Sequence, residues 1–202
     1  RYTPLEIESS PVRCPSAQAS RAMEEEIAAA RAVGDTLGGE VAVAIHGVAP
    51  ALGSYRGGGM MARLSKAAFS ARDVVSVSFG SARDVTRRRG SAAYDSAVLG
   101  AHGFAHATNI SGGIEGGLTT GASVVMRVGV APSASLRAPQ KSIDLETLSD
   151  AESFSAAYSP CLVGGVAVAI EAEIAFTLAS AYQERFGGVA MSDIHSSYDA
   201  YM

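Results

Sequence analysis

The chain has 202 residues, of which 48% are hydrophobic and 18% are charged, and its formal net charge at pH 7 is −4. That length allows one sizeable core, and the apolar content excludes an intrinsically disordered protein. Two cysteines are too few to hold so long a chain together by disulfides, which excludes a small disulfide-stabilised protein. The slightly acidic balance argues against a nucleic-acid partner, and we expect no membrane-spanning run of about 20 apolar residues. We therefore expect a single domain over residues 1–202, located in the cytoplasm.

The first 34 residues predict a capped helix after an extended segment. Three prolines disfavour a helix over residues 1–15 and predict an extended lead-in. Ser16 is a good N-cap for a helix over Ala17–Val33, which has no interior Gly or Pro, and Gly34 is its natural end.

The next stretch predicts strands that alternate with a second helix. Over 40–48 the larger apolar residues Val41, Val43 and Ile45 alternate with Ala and His, which is a strand pattern. A loop over 49–59 leads into an amphipathic helix over 60–71. Alternating Val and Ser then predict a strand over 73–79.

The remainder of the chain is predicted to hold further strands and one long helix. Residues 80–122 read as irregular, residues 123–130 predict a strand, and Ile143 with Leu145 suggests a short one. The nearly uncharged segment 162–186 predicts a long helix buried at the centre of the fold. A layered domain of mixed helices and strands, α+β or α/β, follows from this order.

A glycine-rich segment over 109–121 is the first candidate binding element, with five glycines in 13 residues. Backbone N–H groups exposed in such a segment can bind an anion. It lacks the Gly-Lys-Ser/Thr of a phosphate-binding P-loop. Glycine content alone favours the alternative, a wide turn between strands.

Two further clusters have a functional and a structural interpretation. The run of arginines at 87–89 can bind a phosphate through its guanidinium groups, but such a run is more often a solvated edge. His102 and His106 have a spacing of four in a loop with no acid or Cys beside them, so a metal site is not favoured. Cys14 and Cys161 are isolated and are interpreted as small apolar residues.

Several stretches taken together resemble the chorismate synthase family. They include Ser-Pro-Val-Arg-Cys-Pro at 10–15, Gly-Asp-Thr-Leu-Gly-Gly at 34–39 and Arg-Gly-Ser at 89–91 with Asp95 four residues on. Others are Thr-Asn-x-x-Gly-Gly-Ile-x-Gly-Gly at 108–117, Ala-Pro-Ser-Ala-Ser at 131–135 and Phe-Gly-Gly at 186–188. The resemblance covers almost the whole chain, but only the C-terminal half of a family member.

The resemblance implies an α+β fold in which antiparallel sheets sandwich long helices. It implies a lyase that eliminates phosphate from 5-enolpyruvylshikimate 3-phosphate to give chorismate with reduced FMN. Family members are usually oligomers, so a homo- or hetero-oligomer is expected. The family's first half, with two catalytic histidines and a flavin-binding segment, lies outside this chain, so we expect a trimmed chain or a partner that carries that half.

The resemblance also assigns site residues by position. Those expected to bind FMN are Gly116, Pro132, Ser133 and Ser135. Arg89 and Asn109 are expected to bind the shikimate-type phosphate substrate. No catalytic residue and no metal ligand is assigned.

The chain departs from the family pattern where charged site residues are expected. Ala157 and Ser159 stand where the family has Arg and Asp, Ala131 stands for a Lys, and Ile110 for an Arg. A serine hydroxyl cannot act as a carboxylate base near neutral pH. Each lost charge-assisted hydrogen bond weakens anion binding by about 1.5–3 kcal/mol.

Three hypotheses remain open from the sequence. The chain is a diverged enzyme that needs a partner for its missing half, or a non-catalytic scaffold or regulatory subunit of the same fold. The third is a lyase or ligand-binding homologue acting on a related cyclohexene carboxylate.

Overall fold

The computed structural model describes residues 2–100 and 103–202. Within them the helices are α1 (Pro4–Glu8), α2 (Ala17–Val33), α3 (Met60–Ser70), α4 (Ala82–Val85), α5 (Val163–Phe186) and α6 (Met191–Tyr201). The strands are β1 (Gly39–Ile45), β2 (Val74–Phe79), β3 (Ala97–Gly100), β4 (Gly103–His106), β5 (Ile114–Glu115), β6 (Leu118–Thr119), β7 (Val124–Val130), β8 (Gln140–Ile143) and β9 (Asp150–Ser153). Helices and antiparallel strand pairs therefore coexist, and the α+β class is confirmed.

The described residues divide into two compact units. The first comprises those of Arg1–Glu40 and Val130–Val168, and the second those of Val41–Gly129 and Ala169–Met202. Each unit is built from segments distant in sequence.

Helix α2 in the first unit confirms the capping prediction. The hydroxyl of Ser16 accepts the N–H of Ala19, and Gly34 ends the helix in the left-handed region with φ of 76°. The extended lead-in was wrong in part, because α1 forms there. Thr3 and Glu6 form a capping box, and Pro4 stands in the first turn, where its missing N–H costs nothing.

The second unit is organised by a three-stranded sheet in the order β1-β7-β2. The central strand β7 alternates, with Val124, Met126 and Val128 fully buried. Helix α3 packs on β2 and buries Met60 and Leu64. The sheet strands and α3 were predicted within a few residues of these bounds.

The segment predicted as irregular over 80–122 contains ordered structure. It holds α4, a 3-10 turn over Gly90–Ala92 and two antiparallel hairpins, β3–β4 and β5–β6. In the first hairpin Leu99 lies opposite Phe104, and the two are 87% and 94% exposed.

Helix α5 corrects the prediction of a buried central helix. Val166, Ile170 and Ile174 are buried along one face, whereas Val168 and Phe176 are exposed on another. By length and composition alone α5 also suffices to cross a membrane, contrary to expectation: an 18-residue window has a mean hydropathy of 1.5, and 17% of it is buried. A core helix of a soluble protein has the same composition.

Two elements near the end of the chain refine the sequence prediction. The short strand at Ile143 is β8, which pairs with β9, while Leu145 lies beyond its end. The tail forms α6, whose first turn is held by the carboxylate of Asp193, which accepts the N–H groups of Val189 and Ala190.

Candidate active site

The predicted site residues are distributed over the two units. Pro132, Ser133 and Ser135 lie in the first unit, and Arg89, Asn109 and Gly116 lie in the second. Each group has its own supporting contacts.

The segment that holds Ser133 is fixed by the turn after α2. The buried hydroxyl of Thr36 donates a hydrogen bond of 2.7 Å to the carbonyl of Ser133. Gly38 lies so close to the strand end that a Cβ there would be 2.8 Å from the nitrogen of Pro132. The hydroxyl of Ser133 accepts the N–H of Ser135 at 3.2 Å. Pro132 and Ser135 are exposed, so this segment offers hydroxyl groups to a ligand.

In the second unit Asp95 anchors the start of the glycine-rich segment. Its carboxylate accepts the N–H of Ile110 at 2.7 Å and of Ser111 at 2.9 Å. It also accepts the hydroxyl of Thr108. Partial burial raises the pKa of Asp95, but the hydrogen bonds outweigh it and lower the pKa to about 2. The carboxylate is therefore ionised at neutral pH and holds both sides of Asn109.

Asn109 forms a hydrogen bond with the residue that precedes β7. Its amide nitrogen donates to the carbonyl of Ser123 at 2.8 Å. The hydroxyl of Ser123 lies 2.7 Å from Nδ1 of His46, at the end of β1. This pairing connects three segments around Asn109, whose side chain is exposed. Neither His46 nor Ser123 was assigned a role from the sequence.

The glycine-rich segment forms a tight hairpin rather than a wide turn. Gly116 and Gly117 connect β5 and β6 with φ of 56° and 86°, the conformation of a two-residue turn that glycine favours. A Cβ on Gly116 would meet open space. The backbone at this predicted flavin contact is therefore accessible.

The base of the same segment rests on the end of β2. Gly80 and Gly112 both have positive φ, of 49° and 69°. A Cβ on Gly112 would lie 2.8 Å from the Cα of Gly80, and one on Gly80 would lie 2.9 Å from the Cα of Gly112. Both positions therefore require glycine.

Arg89 precedes the 3-10 turn, and its carbonyl accepts the N–H of Ala92 at 2.9 Å. Its side chain is exposed, as are those of Arg87 and Arg88. Arg88 lies 3.9 Å from the carboxylate of Asp84. The three arginines at 87–89 are therefore solvated, as the interpretation of this run as a solvated edge expects.

A cavity of about 350 Å³ opens in the first unit beside the segment matched to the family's Arg-x-Asp-x-Cys pattern. The residues that line it are Arg31, Arg137, Tyr158, Ser159 and Pro160. Sequence analysis missed the two arginines. They are more than 100 positions apart, and no local pattern connects them.

Within the ranges 2–100 and 103–202, no cluster of three or more His, Cys, Asp or Glu side chains could hold a metal ion. His102 lies outside the described residues. Nδ1 of His106 is buried without a hydrogen-bond partner and lies 3.7 Å from the carboxylate of Glu115.

Comparisons with known proteins agree on one family. The family model described as chorismate synthase matches residues 3–183. Chorismate synthase of Rubrobacter xylanophilus is 38% identical over 96% of this chain and 50% of that protein. The Acidothermus cellulolyticus enzyme is also 38% identical, over 97% of this chain and 50% of its own length. The Mycolicibacterium vanbaalenii enzyme is 35% identical, over 97% and 49%.

A solved crystal structure of chorismate synthase superposes with a TM-score of 0.80 at 26% identity. The match covers 98% of this chain and 52% of that one. This confirms the predicted fold type at half length. The chain belongs to the chorismate synthase family and spans about half the length of the relatives it matches.

Proposed function

We propose that this chain supplies part of a flavin-dependent, phosphate-eliminating active site of the chorismate synthase type. The remaining part comes from the half that this chain does not contain, on the same or a second polypeptide. The observation that carries the proposal is the family match over 3–183 at half the relatives' length. The reaction is elimination of phosphate from 5-enolpyruvylshikimate 3-phosphate to give chorismate, in the cytoplasm.

Within this proposal the first unit binds FMN through Pro132, Ser133 and Ser135. The bond from Thr36 to Ser133 supports it, because it holds the hydroxyl-bearing segment in one position. Gly116 is a further proposed FMN contact, and the open space around it admits a ligand. Asn109 and Arg89 bind the substrate, and the contacts of Asp95 on either side of Asn109 support that role.

The residues present suit the phosphate end of FMN. The Ser133 segment provides hydroxyl groups, and two arginines line the cavity in the same unit. Guanidinium and hydroxyl groups donate hydrogen bonds that phosphate oxygens accept. Reduced FMN, when bound, supplies electron density transiently to the substrate. This chain's residues bind and orient the two ligands.

A second candidate function is that of a non-catalytic scaffold or regulatory subunit. It is favoured by Ser159 and Ala157, which replace the family's acid and arginine, and by Ala131 in place of a lysine. The third alternative is a lyase or ligand-binding homologue that acts on a related cyclohexene carboxylate in the same pocket. All three hypotheses require association, because Val168 and Phe176 leave an apolar face of α5 exposed.

Complementation in vitro tests the proposal. This chain is mixed with the N-terminal half of the Rubrobacter xylanophilus enzyme, and flavin fluorescence, light-scattering mass and chorismate formation are measured. Complex formation with flavin quenching and product is expected. The double variant A157R/S159D restores the family residues and serves as the matched comparison. A complex that binds no flavin, while the double variant does, would establish the scaffold function. Absence of a complex and of flavin binding in both would overturn the proposal.

A further inference from the structure

His106 differs from its neighbours at the end of β4. Phe104, Ala105 and Ala107 are exposed, whereas the side chain of His106 is 27% exposed and its Nδ1 is buried. In the part of the chain that the structure describes, this nitrogen has no hydrogen-bond partner. A buried polar atom without a partner costs free energy, so the inward position of the imidazole needs a reason.

The acid beside this nitrogen is Glu115 on β5. Its carboxylate lies 3.7 Å from Nδ1, which is too long for a hydrogen bond but within reach of an ion pair. Across the β3–β4 hairpin His106 lies opposite the uncharged Ala97. Asp95, the acid at the base of that hairpin, is occupied by the hydroxyl of Thr108 and by two backbone N–H groups. Among the described residues, Glu115 is therefore the carboxylate available to this imidazole.

The hairpin that carries Glu115 is anchored in the core of the second unit. The buried hydroxyl of Thr119 donates to the carbonyl of Ala49 at 2.7 Å. The carbonyl of Gly117 accepts the N–H of Met60 at 2.8 Å. These bonds connect both the turn and the second strand of the hairpin to residues outside it. The position of Glu115 is therefore set by contacts with the core.

The β3–β4 hairpin is the less buried of the two. Val98, Leu99 and Phe104 are exposed on it, and a two-stranded hairpin alone is only marginally stable in water. Over residues 2–100 and 103–202 the two hairpins form separate two-stranded sheets, so strand pairing does not align one with the other. The contact between His106 and Glu115 connects the last residue of β4 to the anchored hairpin.

The same contact closes the segment that carries Asn109. His106 lies three residues before Asn109, and Glu115 directly precedes Gly116. Inside the segment, the carboxylate of Asp95 holds the backbone on either side of Asn109. The two ends of the segment are nine positions apart and meet at the imidazole and the carboxylate. A change in this contact is therefore transmitted to the spacing between Asn109 and Gly116.

We propose that His106 and Glu115 are a positioning pair that sets the spacing between the substrate contact Asn109 and the FMN contact Gly116. The roles of these two contacts rest on the proposed function, whereas their coupling to the pair does not. A protonated imidazole donates from both ring nitrogens, so proton uptake by His106 gives Nδ1 a charged partner and closes the pair. Loss of that proton loosens it. Both side chains are partly exposed, so solvent screens the pair and its effect is moderate.

NMR spectra of this chain, recorded without a ligand, test the coupling. Between about pH 5 and pH 8, where imidazole changes charge, the side-chain amide of Asn109 and the backbone amide of Gly116 should follow the ring resonances of His106. H106Q and E115Q should abolish this common change. H106K keeps the positive charge and should hold both amides at the parent's low-pH positions. Circular dichroism verifies that every variant is folded.

Two control variants match these substitutions in chemistry. H195Q and E146Q change an exposed histidine on α6 and an exposed glutamate in the turn between β8 and β9. Both should retain the common change of the parent. Amides of Asn109 and Gly116 that do not follow His106 in the parent would overturn the inference. Amides that change with pH in H106Q and E115Q as they do in the parent would also overturn it.

A second measurement separates this inference from the proposed function. In the complex with the N-terminal half, H106Q and E115Q should raise the KM for 5-enolpyruvylshikimate 3-phosphate by about two- to fivefold, with a smaller effect on kcat. H106K should restore the parent's KM. If the parent complex forms no product while the amides follow His106 as expected, the proposed function fails and the coupling stands. If product forms and the amides do not follow His106, the positioning pair is refuted and the proposed function stands.

Discussion

The hydroxyl of Thr36 donates a hydrogen bond of 2.7 Å to the carbonyl of Ser133, 97 positions further along the chain. Thr36 is only 8% exposed, and Ser133 is half-buried. The bond ties the turn after α2 to the segment predicted to hold FMN.

Replacing Thr36 by Val keeps the shape of the side chain but removes this donor. The carbonyl of half-buried Ser133 then loses its partner, and the free energy of unfolding should fall by about 0.5–1.5 kcal/mol. Urea denaturation measures the change. T147V is the control, because Thr147 is exposed and its hydroxyl bonds only to near neighbours in the chain, Ser149 and Asp144. An effect of T36V no larger than that of T147V would contradict the structural role.

Asp95 should be the acid on which the glycine-rich segment depends most. In D95N one amide NH2 replaces an oxygen that accepts a backbone N–H, so a hydrogen bond is lost and two donors face each other. We expect a loss of roughly 1–3 kcal/mol in the free energy of unfolding. D84N is the comparison, because Asp84 pairs with Arg88 on the surface at 3.9 Å, and its change should stay below about 0.5 kcal/mol.

The pH dependence of stability should carry the signature of Asp95. Its pKa is about 2 in the folded chain, below the ordinary value of 3.8. The unfolded state therefore binds the proton more tightly. The stabilisation is fully present above about pH 4 and is lost as the pH falls through about 2. Denaturation between pH 6 and pH 2 should show a shallower decline for D95N than for the parent. Parallel declines in the two would refute this assignment.

Gly112 should tolerate no larger residue. In G112A the methyl group enters the backbone of Gly80, at a position whose φ of 69° already disfavours alanine. A loss of more than about 2 kcal/mol is expected, since both clash and backbone strain contribute. G57A is the control, because Gly57 has a φ of 63° but open space around its Cβ position. Equal losses in the two variants would show that φ alone accounts for the effect.

Local signals predicted the parts of the fold that depend on local chemistry. Ser16 and Gly34 identified both ends of α2, because capping is decided by residues within one turn. The same rule, applied to Thr3 and Glu6, identifies α1, whereas the three prolines favour an extended segment. Proline at the first helical turn is compatible with a helix.

Long-range relationships were not predictable in the same way. Asp95 belongs to a motif visible in the sequence, but its bonds to Ile110 and Ser111 depend on a chain reversal that no local pattern specifies. Arg31 and Arg137 line one cavity although they lie more than 100 positions apart, and the carbonyl of Gly34, three residues after Arg31, accepts the N–H of Arg137. Helix α5 was predicted to be buried because of its composition, whereas burial depends on what packs against it.

The contact between Gly80 and Gly112 limits how this region can change during evolution. Where two large side chains touch, growth of one is offset by shrinkage of the other. Here both residues are already the smallest available, and a Cβ on either would collide with the backbone of the other. The separation between the end of β2 and the glycine-rich hairpin is therefore fixed by main chain alone, so sequence drift elsewhere in the second unit has to accommodate that spacing.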